Sequence, residues 1–150
     1  MGNKRGTIVS MQICQGHRQP MQFKNALRAL ANLGLEGDNH AHPSSSRQVL
    51  FMDEETLTRL MVKPGMIREN ITTRGIDLKA LPPKTRVRIG EVEFEITKPC
   101  EPCGVMDEIR SGLRAELEGQ RGMLARVINS GEIHVGDAIE VMREPVFAKR

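Results

Sequence analysis

Thr85-Arg86-Val87-Arg88-Ile89-Gly90-Glu91-Val92-Glu93-Phe94-Glu95-Ile96 places apolar side chains at alternate positions on either side of Gly90-Glu91. A period of two turns every second side chain to one face, so each half predicts a strand with one buried and one wet face. The two-residue spacer with glycine first fits a type II′ turn, which joins the halves as a hairpin.

Similar patterns recur outward from this hairpin. Upstream, Thr7 to Cys14 is β-branched and partly alternating, and Gln48-Val49-Leu50-Phe51-Met52 is an apolar run of strand length. Asp53-Glu54-Glu55 reads as a helix start, with Asp53 as N-cap and acids in the first turn. Leu57, Leu60 and Met61 are expected to form its core face before Pro64-Gly65 stops it. Ala26, Leu27, Leu30 and Ala31 have helical spacing and predict a short helix ending near Gly34. Thr72 and Thr73 suit either a strand or a polar binding edge within Arg68 to Gly75. Downstream, Asp107 is expected to cap a helix whose Ile109, Leu113 and Leu117 share a face, with Gly112 inside it. Residues 122–128 and 133–135 are expected to pair across Asn129-Ser130-Gly131, Ile139 to Val141 to close the set, and residues 143–150 to form a polar tail. About seven strand candidates against three short helices, without a βα alternation, make the chain mainly β, a β-barrel rather than a sandwich or doubly wound sheet.

Past the hairpin's second strand comes Thr97-Lys98-Pro99-Cys100-Glu101-Pro102-Cys103-Gly104. Each proline fixes its own φ and pushes the preceding residue towards extended geometry, so the segment predicts a stiff loop that holds Cys103 just beyond a strand end. A Cys-x-x-Cys pair reads as half a zinc site, a redox dithiol, apolar filler or a setting for one working thiol. Zinc lacks further ligands in the right spacing, with His40 and His42 the one close histidine pair. A thioredoxin-like dithiol is expected beside a βαβ pattern, not after a hairpin. Filler and working thiol both stay open on the residues alone. Cys14, at the end of the first strand, reads as core, and His17 as a solvated loop residue.

Leu35 to Arg47 is polar, glycine-containing and serine-rich, hence a long loop, and long ordered loops tend to be functional. Its carboxylate, imidazoles and guanidinium suit an oxyanion, with Arg68 to Arg74 as the second half of an anion site and Arg47 as the main charge. The alternative is a mobile surface loop with solvated charges.

At 150 residues the chain is the length of one domain and buries about 70% of the surface its unfolded form exposes. Three cysteines, an odd number, with no apolar leader and no apolar run long enough to span a bilayer, imply a reduced, cytoplasmic protein without membrane partners. The net charge is +3, but there is no Trp or Tyr and only four Phe, which argues against a nucleic-acid track and for a small anionic ligand.

Four pieces stand in a specific order: Gly34-Leu35-Glu36-Gly37-Asp38-Asn39-His40, Arg47-Gln48-Val49, Glu69-Asn70-Ile71-Thr72-Thr73 and Pro102-Cys103. Arg121-Gly122 and Gly131-Glu132-Ile133-His134-Val135-Gly136-Asp137 follow. The chain resembles the MOSC family, the molybdenum cofactor sulfurase C-terminal domain, from about residue 7 to residue 142. The resemblance implies a closed β-barrel and a family thiol at Cys103, associated in relatives with carrying sulfur as a persulfide or contacting molybdenum. It further implies a pocket lined by Asp38, His40, Arg47, Glu69, Asn70 and Thr72 that takes the molybdenum cofactor, molybdopterin. Implied partners are that pterin and a sulfur donor such as a cysteine desulfurase; pyridoxal phosphate enters only as a family-level association. The implied activity is a sulfur carrier or transferase, or a cofactor-dependent reductase, and the alternative is a non-catalytic module that delivers a pterin or other anion to a partner. The chain departs from relatives at Cys100, often arginine there, and at Asn39, often basic. The aminotransferase-like and ferredoxin-like regions of larger relatives have no counterpart in it, and its oligomeric state is not indicated. Cys100 is spaced to resolve a persulfide on Cys103, a step the resemblance does not supply.

Overall fold

The computed structural model describes residues 3–143. In chain order the strands are β1 Arg5–Cys14, β2 Met21–Phe23, β3 Ala26–Leu30, β4 Gly34–Leu35, β5 Val49–Asp53, β6 Ile71–Arg74, β7 Arg86–Ile89, β8 Val92–Pro99, β9 Met123–Val127, β10 Gly131–His134 and β11 Ala138–Arg143. The helices are α1 Glu54–Arg59, α2 Val105–Ile109 and α3 Leu113–Glu116, with a 3₁₀ turn at Leu78–Ala80. Seven strands close on themselves in the order β11-β7-β8-β9-β5-β6-β1, the last pairing back to β11. Closure leaves the barrel without an open edge.

The hairpin forms as its residues dictate. Ile89 faces Val92 across the turn, Gly90 has φ +59° and Glu91 has a negative φ, the signs a type II′ turn requires. Val87, Ile89, Val92, Phe94 and Ile96 are fully buried inside the barrel, where Phe94 meets Phe51 edge-on at 5.3 Å. The apolar run at β5 is buried on both faces: Val49 and Phe51 point into the barrel, while Met52 packs outside it with Leu57, Val62, Ile67, Met106, Leu113 and Leu117. That outer cluster explains a strand without alternation. β5 and β6 are parallel, so the chain must cross over between them, and α1 lies in that crossover. Asp53 caps α1 by accepting from the Thr56 backbone N–H at 2.9 Å and its hydroxyl at 2.6 Å.

Several elements differ from expectation. Residues 26–30 are strand β3, not a helix: Leu27 and Ala29 are buried between exposed Ala26 and Arg28, a period of two that a short apolar run does not distinguish from helical spacing. Its partner is β10, with Ile133 opposite Leu27, so β10 does not return to β9. The turn between them is tied outward instead: Asn129 Oδ1 accepts from Glu93 N, and Ser130 Oγ from Ala31 N. β10 is an expected strand, whereas β3 and β4, its companions in this three-stranded sheet, and the short β2 lie outside the expected strands. The expected helix around Gly112 is two helices, because Gly112 sits at φ +87°. Asp107 lies within α2 and accepts from Arg114 N in α3 at 3.0 Å. Helix α1 ends at Arg59, leaving Met61 81% exposed rather than in the core. The expected polar tail lies outside the described residues beyond Arg143. No helix among the described residues is long and apolar enough to cross a membrane.

Candidate functional site

Strand β8 runs on through Pro99 and delivers the cysteine loop to one side of the barrel. Two backbone bonds pin it, Cys100 N donating to Gly122 O at 2.9 Å and Met106 N to Cys103 O at 3.0 Å. Pro102 is buried between them, so the thiols on either side part: Cys100 is 4% exposed against Leu50 and Leu124, while Cys103 is exposed. Cys14 is buried as expected. All three are free thiols, and each buried sulfur accepts from a guanidinium, Cys14 from Arg68 Nη2 at 2.9 Å and Cys100 from Arg121 Nη1 at 2.8 Å.

Cys100 and Cys103 both border a cavity of about 410 Å³, within the range of small-molecule sites. Its walls bring together His17, Arg18, His40, Arg47, Arg68 and Arg121, against the two acids Glu101 and Glu108. Arg18 is committed to Glu108, at 2.7 and 3.3 Å through its two nitrogens, which ties the loop after β1 to α2. Arg68 donates to Cys14 Sγ, Gly16 O and Gln19 O. The Arg47 guanidinium has no protein acceptor among the described residues, since only its backbone N–H is bonded, to Ser45 Oγ. Arg74, expected to share the anion site, is not in the wall and pairs with Glu54 at 2.7 Å.

The motif residues divide. His40, Arg47, Asn70 and Cys103 are in the cavity wall, whereas Asp38, Glu69 and Thr72 stand behind it. Asp38 Oδ1 accepts from Cys14 N at 2.7 Å and from Asn70 Nδ2 at 3.2 Å, and its Oδ2 accepts from His40 N at 3.2 Å. Asn70 also donates to Gln12 O and accepts from Leu50 N, so it laces β1, β5 and the start of β6. Glu69 Oε2 accepts from Gly65 N at 2.9 Å and Thr72 Oγ1 at 2.7 Å, and its Oε1 has no partner. Burial pushes the Glu69 carboxyl up from its ordinary value, against the lowering by those two donors and by Arg121. These polar side chains therefore fix the geometry of the wall rather than offering it to a ligand.

Arg18 and Arg121 were not foreseen as wall residues. Arg18 carried no sequence signal, and Arg121 carried only its place beside Gly122. Gly122 has φ +108°, and a Cβ there would lie 2.2 Å from Phe51 O, so glycine alone lets β9 start tight against β5. That approach sets Arg121 into the wall, 8% exposed, with Nη2 on Ile67 O at 2.8 Å and Nε unpartnered. Among the described residues no three His, Cys, Asp or Glu side chains cluster closely enough to hold a metal ion.

The MOSC domain family model matches residues 38–140. No curated protein matches the sequence. Among solved structures, the YUAD protein from Bacillus subtilis is similar with a TM-score of 0.77 at 18% identity, over 94% of this chain and 98% of its own. YiiM from Escherichia coli is similar with a TM-score of 0.67 at 21% identity, over 97% of this chain and 71% of its own. YiiM from Geobacillus stearothermophilus gives 0.77 at 15% identity, over 95% and 78%. At these identities the likeness is one of fold.

Proposed function

The chain belongs to the MOSC domain family, and from that premise we propose that it is a sulfur carrier that loads Cys103 and passes the sulfur to an acceptor held in the basic cavity. The observation that carries this reading is the exposed Cys103 thiol at the border of a cavity walled by six basic side chains. As thiolate, Cys103 attacks the outer sulfur of a donor persulfide such as that of a cysteine desulfurase; the new S–S bond forms on Cys103 and the donor leaves as its thiolate. An acceptor thiol then takes the outer sulfur by the same exchange. Reduced thiols are needed throughout, which places the protein in a reducing compartment such as the cytoplasm.

The wall fits a phosphate-bearing pterin such as molybdopterin. Arg47 offers an uncommitted guanidinium, Arg121 an unpartnered buried Nε, and Cys103 is a soft ligand for molybdenum. Arg47, Arg68 and His40 would hold the phosphate, and when bound the cofactor supplies redox chemistry at its metal. Asp38 and Asn70 keep the wall in register, and Arg18 with Glu108 forms an ion pair in that wall.

In samples trapped early in an incubation with a cysteine desulfurase and cysteine, the Cys103 peptide should carry about 32 Da more, the mass of one sulfur, removable by reductant. Wild-type protein that gains no reducible sulfur, or a Cys103→Ser variant that gains as much, overturns the reading. The second reading, an anion-binding module, is favoured by the uncommitted Arg47 guanidinium; it predicts full phosphate-ligand binding by Cys103→Ser with no sulfur uptake by wild type.

A further inference from the structure

Arg121 is a mostly buried guanidinium that makes no direct ion pair among the described residues. No carboxylate lies within ion-pair distance of it among the described residues, and its one side-chain partner is Cys100 Sγ at 2.8 Å. Glu69 is electrostatically coupled to it, but burial pushes that carboxyl towards its neutral form. Negative charge arriving on the Cys100 sulfur therefore meets a charged donor already in place at 2.8 Å. The core thiol Cys14 also has a guanidinium, that of Arg68, but it does not line the cavity, whereas Cys100, although packed on Leu50 and Leu124, does, beside Cys103. Cys100 and Cys103 are separated by two residues on the same cavity wall, and among the described residues no backbone hydrogen bond holds the intervening Glu101 or Pro102, so a disulfide between them requires the loop to turn the parted thiols together.

We propose that Cys100 is a second working thiol, which resolves a persulfide on Cys103 and expels the outer sulfur into the cavity as hydrosulfide, with Arg121 positioning the attacking sulfur. This rests on Cys103 being the sulfur carrier. The Cys100 thiol gives its proton to cavity water and attacks Cys103 Sγ. The Cys100–Cys103 disulfide forms, the bond from Cys103 Sγ to the outer sulfur breaks, and its electron pair leaves with that sulfur as HS⁻. The sulfane sulfur is reduced and the two cysteine sulfurs are oxidised. Two equivalents of a low-molecular-weight thiol, or one dithiol, then return both cysteines to thiols and leave as a disulfide. The substrate class of the cavity is thereby an acceptor that takes sulfide, not only one that carries its own thiol.

The test loads the full chain with a cysteine desulfurase and cysteine, removes donor and excess thiol under anaerobic conditions, and follows free sulfide and peptide masses. Wild type should release about one equivalent of sulfide and yield a Cys100–Cys103 peptide about 2 Da lighter than its dithiol form. Cys100→Ser should keep the added sulfur on Cys103 and release sulfide at least about tenfold more slowly. Per sulfur loaded on each protein, Arg121→Gln should release sulfide about tenfold more slowly than wild type, with Arg121→Lys restoring the rate, a rescue that a packing role alone would not give. Equal release by Cys100→Ser and wild type, or a loaded wild type that holds its sulfur without forming the disulfide, overturns the proposal and leaves the carrier reading intact. A wild type that takes up no sulfur on Cys103 overturns both. Arg121→Gln releasing at the wild-type rate removes the arginine from the step.

Discussion

Glu69 and Arg47 illustrate two fates of a polar residue in this chain. Glu69 is fully buried, with both its donors on Oε2. Its carboxyl is raised from 4.5 by desolvation, so in the window above that value the native state binds more protons than the unfolded state. Stability must then fall as pH rises through the window. Glu69→Gln keeps a carbonyl oxygen for Gly65 and Thr72 and removes the titration, so thermal melts between pH 4.5 and 8 should show the variant gaining on wild type as pH rises. A constant difference across that range contradicts the assignment. Arg47 is exposed at the cavity with an uncommitted guanidinium. A charged hydrogen bond is worth about 1.5–3 kcal/mol, so Arg47→Ala should weaken binding of a phosphate-bearing ligand about tenfold to a hundredfold by calorimetry, with its melting temperature unchanged.

At the scale of elements, the junction of β9 with β5 positions much of the site. Cys100 N bonds to Gly122 O, and Gly122 itself lies against Phe51 O. Gly122→Ala would put a Cβ into backbone and force an L residue to φ +108°, a combination that costs upward of about 3 kcal/mol. Denaturant unfolding should show that loss, and labelling by iodoacetamide should spread from Cys103 to Cys100 as the loop loses its anchor. An unchanged midpoint would mean that β9 shifts without strain. By contrast, the Arg18–Glu108 pair joins two exposed side chains that water and salt screen, so removing it should leave the unfolding midpoint almost unchanged.

For the whole molecule, the barrel interior is one cluster that contains every inward residue of the hairpin. Phe94 is fully buried in its middle and edge-on to Phe51. Phe94→Ala should therefore destabilise by about 3–5 kcal/mol, since β strands on all sides of a closed barrel cannot collapse into the cavity. A loss below about 1 kcal/mol in urea would show that the barrel is not closed around it. Local periodicity and turn chemistry determined the hairpin at Gly90-Glu91, the capped start of α1 at Asp53, the barrel class and the loop around Cys103, because each depends on side chains near one another in sequence. Tertiary structure decided the rest. Periodicity says which face of a strand is buried but not which strand it meets, so β10 takes β3 instead of β9, and Ala26 to Leu30 extends where its spacing also suited a helix. Likewise a polar residue's role depends on what covers it: Asp38, Glu69 and Thr72 became struts behind the wall, while Arg18 and Arg121, brought from distant parts of the chain, entered it.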